Sequence, residues 1–235
     1  MEKIPKSSRR LKNYLENAFQ EDNWREYFTN VLNQLDKGII PSLFHQLYNK
    51  KQIVKWRAVS AFGLYSLHKK DDEPEKLQNI MRRCTWMLTE ESGGIAWGVP
   101  EVMGEMMANN QKLAKAHNNI LFSYIFDNPG GSDNYLEHEP LRFGVIWAVS
   151  RLSEVFPGIT KEHLYIIDQR IDEETTARGI AMLCRIIGQL KHEKQRDYLE
   201  KHSTNPAEIY LYLEHELQEI KVMDLAKQAL EKIEN

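Results

Sequence analysis

Cysteine is scarce in this chain, with only Cys84 and Cys184 among 235 residues. Each lies in an apolar helical pattern far from the other, which excludes a disulfide framework and a C-x-x-C site and makes a reducing compartment the default. Long apolar runs are missing too. No stretch approaches the ~18 consecutive apolar residues of a membrane span, and the opening MEKIPKSSRRLKNYL has charges but no apolar core of signal-peptide length. A cytoplasmic protein that meets no membrane is therefore expected. Neither sign of charge dominates: 31 Lys and Arg stand against 34 Asp and Glu, a net charge of −3. Such a chain offers phosphate backbones no global attraction, so nucleic acid is an unlikely partner. The one basic stretch, Lys3, Lys6, Arg9, Arg10 and Lys12 against Glu2, reads as a solvated terminus. Catalytic signatures are absent as well. There is no G-x-S-x-G and no H-E-x-x-H, and neither cysteine sits in a nucleophile motif. His138 lies between Glu137 and Glu139, but adjacent residues of an extended segment diverge and no second histidine stands at i+4. No catalytic residue, metal or cofactor is expected.

What the chain does have is a motif that returns four times: KWRAVSAFG at 55–63, AWGVPEVMG at 96–104, RFGVIWAVS at 142–150 and ARGIAMLCRIIG at 177–188. Each is a helical run of small and bulky apolar residues with an Arg or Gly near its start. Aligning Arg57, Gly98, Gly144 and Gly179 gives intervals of 41, 46 and 35 residues, the scale of stacked two-helix repeats. No such repeat buries its apolar face alone, so neighbours must cover it. With 42% hydrophobic and 28% charged residues, the chain has the means to fold.

Apolar spacing predicts helices over 8–20 and 23–35, which would cap the array, then a helix at 39–47 leading into KWRAVSAFG. Asp72 and Pro74 open a helix to about Thr89 with Leu77, Ile80, Met81, Cys84 and Leu88 inward. Pro100 requires the next helix to start near Ala96. A helix over 110–127 runs into the DNPGGSDN loop, and another begins near Pro140 and stops at Pro157. Thr160 is expected to cap a helix from Lys161, and Asp172 to open the fourth motif helix. From Glu208 the period changes to IYLYL and LQEIKV, read as a hairpin turning near His215 with a helical reading as competitor. The expected division is a helical array over 1–203 and a hairpin-helix appendage over 204–235, packed on the last repeat.

The densest constellation is EESGGIAWGVPEVMGE, residues 90–105. Ser92, Gly93 and Gly94 lead into a helix start whose free N–H groups suit an anion, the alternative being that the glycines only make a tight turn. Trp97, Glu101 and Glu105 follow at i, i+4 and i+8 and so fall on one helix face; they either grip a cationic group or are a core indole flanked by two solvated acids. Arg57 and Arg142 near the starts of motif helices could line a groove with Glu101 or Glu139, or tie adjacent repeats together. Together with Trp147, these residues form the candidate partner-binding set on a concave face.

WRAVSAFG, ESGGIAWGVPEVMGE and LRFGVIWAVSRL resemble HEAT-like repeats, especially the short bacterial ones related to phycobilisome lyases. The ESGGI-x-WG-x-PE-x-MGE string is similar to that of an uncharacterised bacterial HEAT-like family. The resemblance implies a mainly α fold, a right-handed α-α superhelix or solenoid with a small C-terminal β-hairpin and helix. It carries an interaction role and no catalytic residues. The leading expectation is a non-catalytic scaffold holding a protein segment or small ligand on its concave face. The free hairpin edge is a second possible contact. A HEAT-like DNA glycosylase is the main rival, but it needs a basic concave stripe that the acidic balance opposes. A chromophore lyase or chaperone follows from the phycobilisome-lyase likeness alone.

Overall fold

A computed structural model describes residues 4–89, 96–125 and 134–234. They are mainly helical and form two compact units, Met1–Asn110 and Gln111–Asn235.

The first unit contains α1 (Ser8–Ala18), α2 (Trp24–Gln34), α3 (Ile39–Gln46), α4 (Gln52–Lys69), α5 (Pro74–Thr89) and α6 (Val99–Ala108). Its centre is α4, where Val54, Trp56, Ala58, Val59, Ala61, Phe62 and Tyr65 are all buried, covering more than one side of the helix. A helix apolar around its circumference must be enclosed, and α2, α3, α5 and α6 all pack on it. Between α4 and α6 the approach is tight at Gly63, where a Cβ would meet Glu105 Cγ at 2.7 Å. In α5 the expected stripe of Leu77, Ile80, Met81, Cys84 and Leu88 is buried.

The second unit contains α7 (Gln111–Ser123), α8 (Glu139–Val155), α9 (Pro157–Lys161), α10 (Leu164–Arg170), α11 (Ala177–Leu190), α12 (Arg196–His202), β1 (Glu208–Leu213), β2 (Glu216–Lys221) and α13 (Val222–Glu234). Short 3-10 turns follow α10 and precede α12. At its centre α11 packs between α8 and α13. The strands pair antiparallel from Glu208↔Lys221 to Leu213↔Glu216. Glu214 and His215 turn the chain at φ 53° and 68°, the left-handed pair that a two-residue hairpin loop requires. The hairpin reading thus prevails over the helical one.

Several local expectations are corrected. The four aligned motif residues are not equivalent: Arg57 and Gly144 are the sixth residues of their helices, Gly179 is the third, and Gly98 precedes its helix. Gly98 has φ +74°, a conformation costly for residues with a Cβ. Consequently α6 starts at Val99 rather than Ala96, and Pro100 falls in its first turn, where no N–H is needed. Helix α7 ends at Ser123, short of 127. Thr160 does not cap a helix; Pro157, with φ preset for a first turn, starts α9 before it. At α11 the cap is Thr176, whose hydroxyl accepts from the Gly179 N–H at 3.2 Å, and not Asp172.

Candidate functional site

In the first unit the motif-helix starts are held by internal pairs. Arg57 donates through Nη1 to the carbonyls of Phe19 at 3.1 Å and Glu21 at 2.8 Å. It therefore ties α4 to the end of α1 and the turn behind it. Glu101, in the first turn of α6, is buried and faces Lys55 of α4, its Oε1 3.6 Å from Nζ; among the described residues Oε2 has no hydrogen-bond partner. Glu105 is buried against Gly63 and accepts from Asn109 Nδ2 at 3.1 Å. Trp97 lies in the turn before α6 and is half-buried. The expected single helix face of Trp97, Glu101 and Glu105 is thus corrected. The αL residue at Gly98 intervenes, and both carboxylates face the helix-helix contact. The candidate anion turn, Ser92, Gly93 and Gly94, lies outside the described residues.

In the second unit Arg142 is held by Glu174, Nε to Oε2 at 3.4 Å, and by the carbonyl of Glu137 at 2.9 Å. Glu174 is buried, and its Oε1 accepts from the backbone N–H and hydroxyl of Thr176 at 2.8 and 2.6 Å. One carboxylate thereby joins the start of α8 to the cap of α11. Trp147 is only 4% exposed and donates its indole N–H to the Tyr212 carbonyl at 2.8 Å. It belongs to the packing of α8 on β1, which removes it from any partner surface. Glu139 is half-exposed and pairs bidentately with Arg178 of α11, whose guanidinium also lies 4.4 Å from the centre of the Phe143 ring.

Lys55, Glu174 and Arg178 were not singled out from sequence, although Lys55 and Arg178 lie within the motifs and Glu174 stands three residues before the fourth. The available signal was charge: a lysine in the first turn of one motif helix and an acid in the first turn of the next. Another unanticipated cluster joins α10 to the segment before α12. There Asp168 accepts from Lys194 at 2.8 Å and Gln195 at 2.7 Å and contacts His192 at 2.7 Å. Burial opposes the Asp168 charge, but these hydrogen bonds outweigh it and hold the carboxyl at about 2. Burial pushes both Cys84 and Cys184 thiols up to about 12, so they are poor sources of thiolate.

The chain is similar to a solved designed armadillo repeat protein, YIII(Dq)4CqI, at 13% identity and TM-score 0.51, covering 97% of this chain and 95% of that one. No protein-family model matches the sequence, and no curated protein matches it. The similarity defines an armadillo-like helical-repeat fold, here ending in a hairpin and helix.

Proposed function

We propose that the chain is a non-catalytic scaffold that binds a protein segment through exposed side chains at the starts of its motif helices. The carrying observation is the armadillo-like repeat fold, an architecture whose stacked repeats create extended surfaces for a partner. In the second unit the half-exposed Glu139–Arg178 pair supports this reading, because its groups keep polar edges available to solvent. Trp97 is the corresponding half-buried residue of the first unit. The resemblance of the ESGGI-x-WG-x-PE-x-MGE string to bacterial HEAT-like proteins belongs to the same proposal, as does a cytoplasmic setting. Two buried free thiols fit a reducing compartment, and among the described residues no helix is long and apolar enough to cross a membrane.

The test is affinity capture from the native lysate with wild-type protein and an Arg178→Glu variant, followed by mass spectrometry. A protein retained by the wild type and lost with the variant, while circular dichroism is unchanged, supports the scaffold reading. Retention of nucleic acid or pigment in place of a protein refutes it in favour of a glycosylase or a chromophore lyase.

A further inference from the structure

The C-terminal hairpin has one covered edge and one open edge. Trp147 donates to the carbonyl of Tyr212, so this carbonyl points away from β2. Tyr212 is opposite Leu217. Because antiparallel pairs alternate between bonded and non-bonded positions, Tyr212↔Leu217, Tyr210↔Glu219 and Glu208↔Lys221 all direct their backbone groups outward. On β1 the helix α8 meets this edge through Trp147. On β2 the N–H and C=O groups of Leu217 and Glu219 and the N–H of Lys221 face away from the β1 ladder, while the Lys221 carbonyl leads into the first turn of α13.

The side chains around this edge have a definite chemistry. Residues 208–221 hold Glu208, Glu214, Glu216 and Glu219 against Lys221, a net charge of −3 with His215 neutral. Lys221 is partly neutralised by Glu208 at 3.6 Å. Glu219 lies at the middle of the outward-facing trio, opposite the 70% exposed Tyr210. Leu217 is an exposed apolar residue on the same face. A strand added here would place one side chain within about 5 Å of Glu219. A second copy of the hairpin is a poor occupant: it brings the same surplus of carboxylates, and pairing about Glu219 sets that residue against itself.

We propose that the open edge of β2 docks an extended, lysine- or arginine-bearing segment of a protein partner as a third strand. Its backbone takes the outward N–H and C=O groups of Leu217 and Glu219 and the N–H of Lys221, and its central cation lies beside Glu219. This surface is separate from the helix-start reading above and stands or falls without it.

The experiment uses the full chain labelled with ¹⁵N, titrated with an acetylated and amidated hexapeptide alternating lysine and valine, and with its glutamate-valine counterpart. Saturable shifts and slowed exchange at the Leu217, Glu219 and Lys221 amides are expected, with the ladder amides of Gln218 and Ile220 unchanged in exchange. Affinity for the lysine peptide should exceed that for the glutamate peptide by about tenfold or more, since main-chain bonds bind the strand and side chains select it. Glu219→Pro removes an outward N–H and leaves the β1–β2 ladder intact, so it should weaken binding by about tenfold. Glu219→Lys keeps the N–H and should invert the peptide preference. Failure of the lysine peptide to saturate at millimolar concentration overturns the proposal, as does wild-type binding by both variants. Concentration-dependent protection of the same amides without peptide also overturns it, because it assigns the edge to a second copy.

Discussion

Gly188 is the position where a single methyl group should be felt most clearly. It lies in α11 where α13 crosses, and a Cβ added there would meet both Cα and Cβ of Ala229 at 2.7 Å. Ordinary carbon contacts are about 3.5–4.0 Å, and one of the atoms in the way is backbone, so relief requires the helices to part by about 1 Å. Overpacking of this kind costs about 1–3 kcal/mol, while replacing a helical glycine by alanine returns up to about 1 kcal/mol. Gly188→Ala should therefore cost about 0–2 kcal/mol. Gly188→Val puts two further carbons into the same gap and loosens Val222, Leu225, Ala226 and Ile233 of α13, all buried. It should cost about 2–4 kcal/mol, since fully burying one such aliphatic side chain is worth about 1.5–3 kcal/mol. Urea denaturation gives the change directly, and a thermal scan should show a fall of about 5–15 °C at the ~2–4 °C per kcal/mol usual for this size. Gly158 is the internal control: nothing lies within 4 Å of its Cβ position, so Gly158→Ala should gain about 0.4–1 kcal/mol. A Gly188→Val protein as stable as the wild type would refute the close crossing of α11 and α13.

The other predictions concern the hairpin and the buried polar groups. Replacing Glu214-His215 by Asn-Gly should strengthen the hairpin by about 1–2 kcal/mol, because both positions are left-handed and carry a Cβ penalty; slower exchange of the Gln218 and Ile220 amides checks it. Trp147→Phe leaves the Tyr212 carbonyl without its buried donor and should cost about 1–3 kcal/mol, read as a lower urea midpoint. Asp168 has its folded pKa lowered from 3.8 to about 2, so its stabilisation is full above 3.8 and is lost as pH falls toward 2. Asp168→Asn should accordingly flatten that acid limb of the stability profile. His163 contacts Asn118 at 2.6 Å and stacks on Phe122 at 4.2 Å; burial lowers its pKa from 6.5. The folded state thus favours neutral imidazole, its advantage is complete above 6.5, and it declines as pH falls below that value. A His163→Phe variant should lack this decline below pH 6.5 in urea titrations.

Much of the architecture was legible in the residues themselves. The stripe Leu77, Ile80, Met81, Cys84 and Leu88 has one helical period and is buried as one face of α5. The IYLYL segment was recognisable as strand because β-branched and aromatic residues fit a pleated surface, and its register with β2 follows from the two-residue turn. Pro100 already limited how far α6 could extend backwards, since only a first-turn residue can do without its N–H.

The roles of the charged residues were decided by tertiary contacts. Whether Glu101 and Glu105 face solvent or the α4 contact depends on Lys55 and Gly63, forty-odd residues away, and helical spacing contains no information about that distance. Arg142 carries the same charge whether it meets a partner or Glu174; the fold places Glu174 beside it by capping α11 at Thr176. Trp147 has the same indole as an exposed anchor would have, but the hairpin brings the Tyr212 carbonyl to its N–H and closes it into the core. Period and propensity are local properties that sequence alone determines. Burial and pairing belong to residues that meet only when the chain has folded.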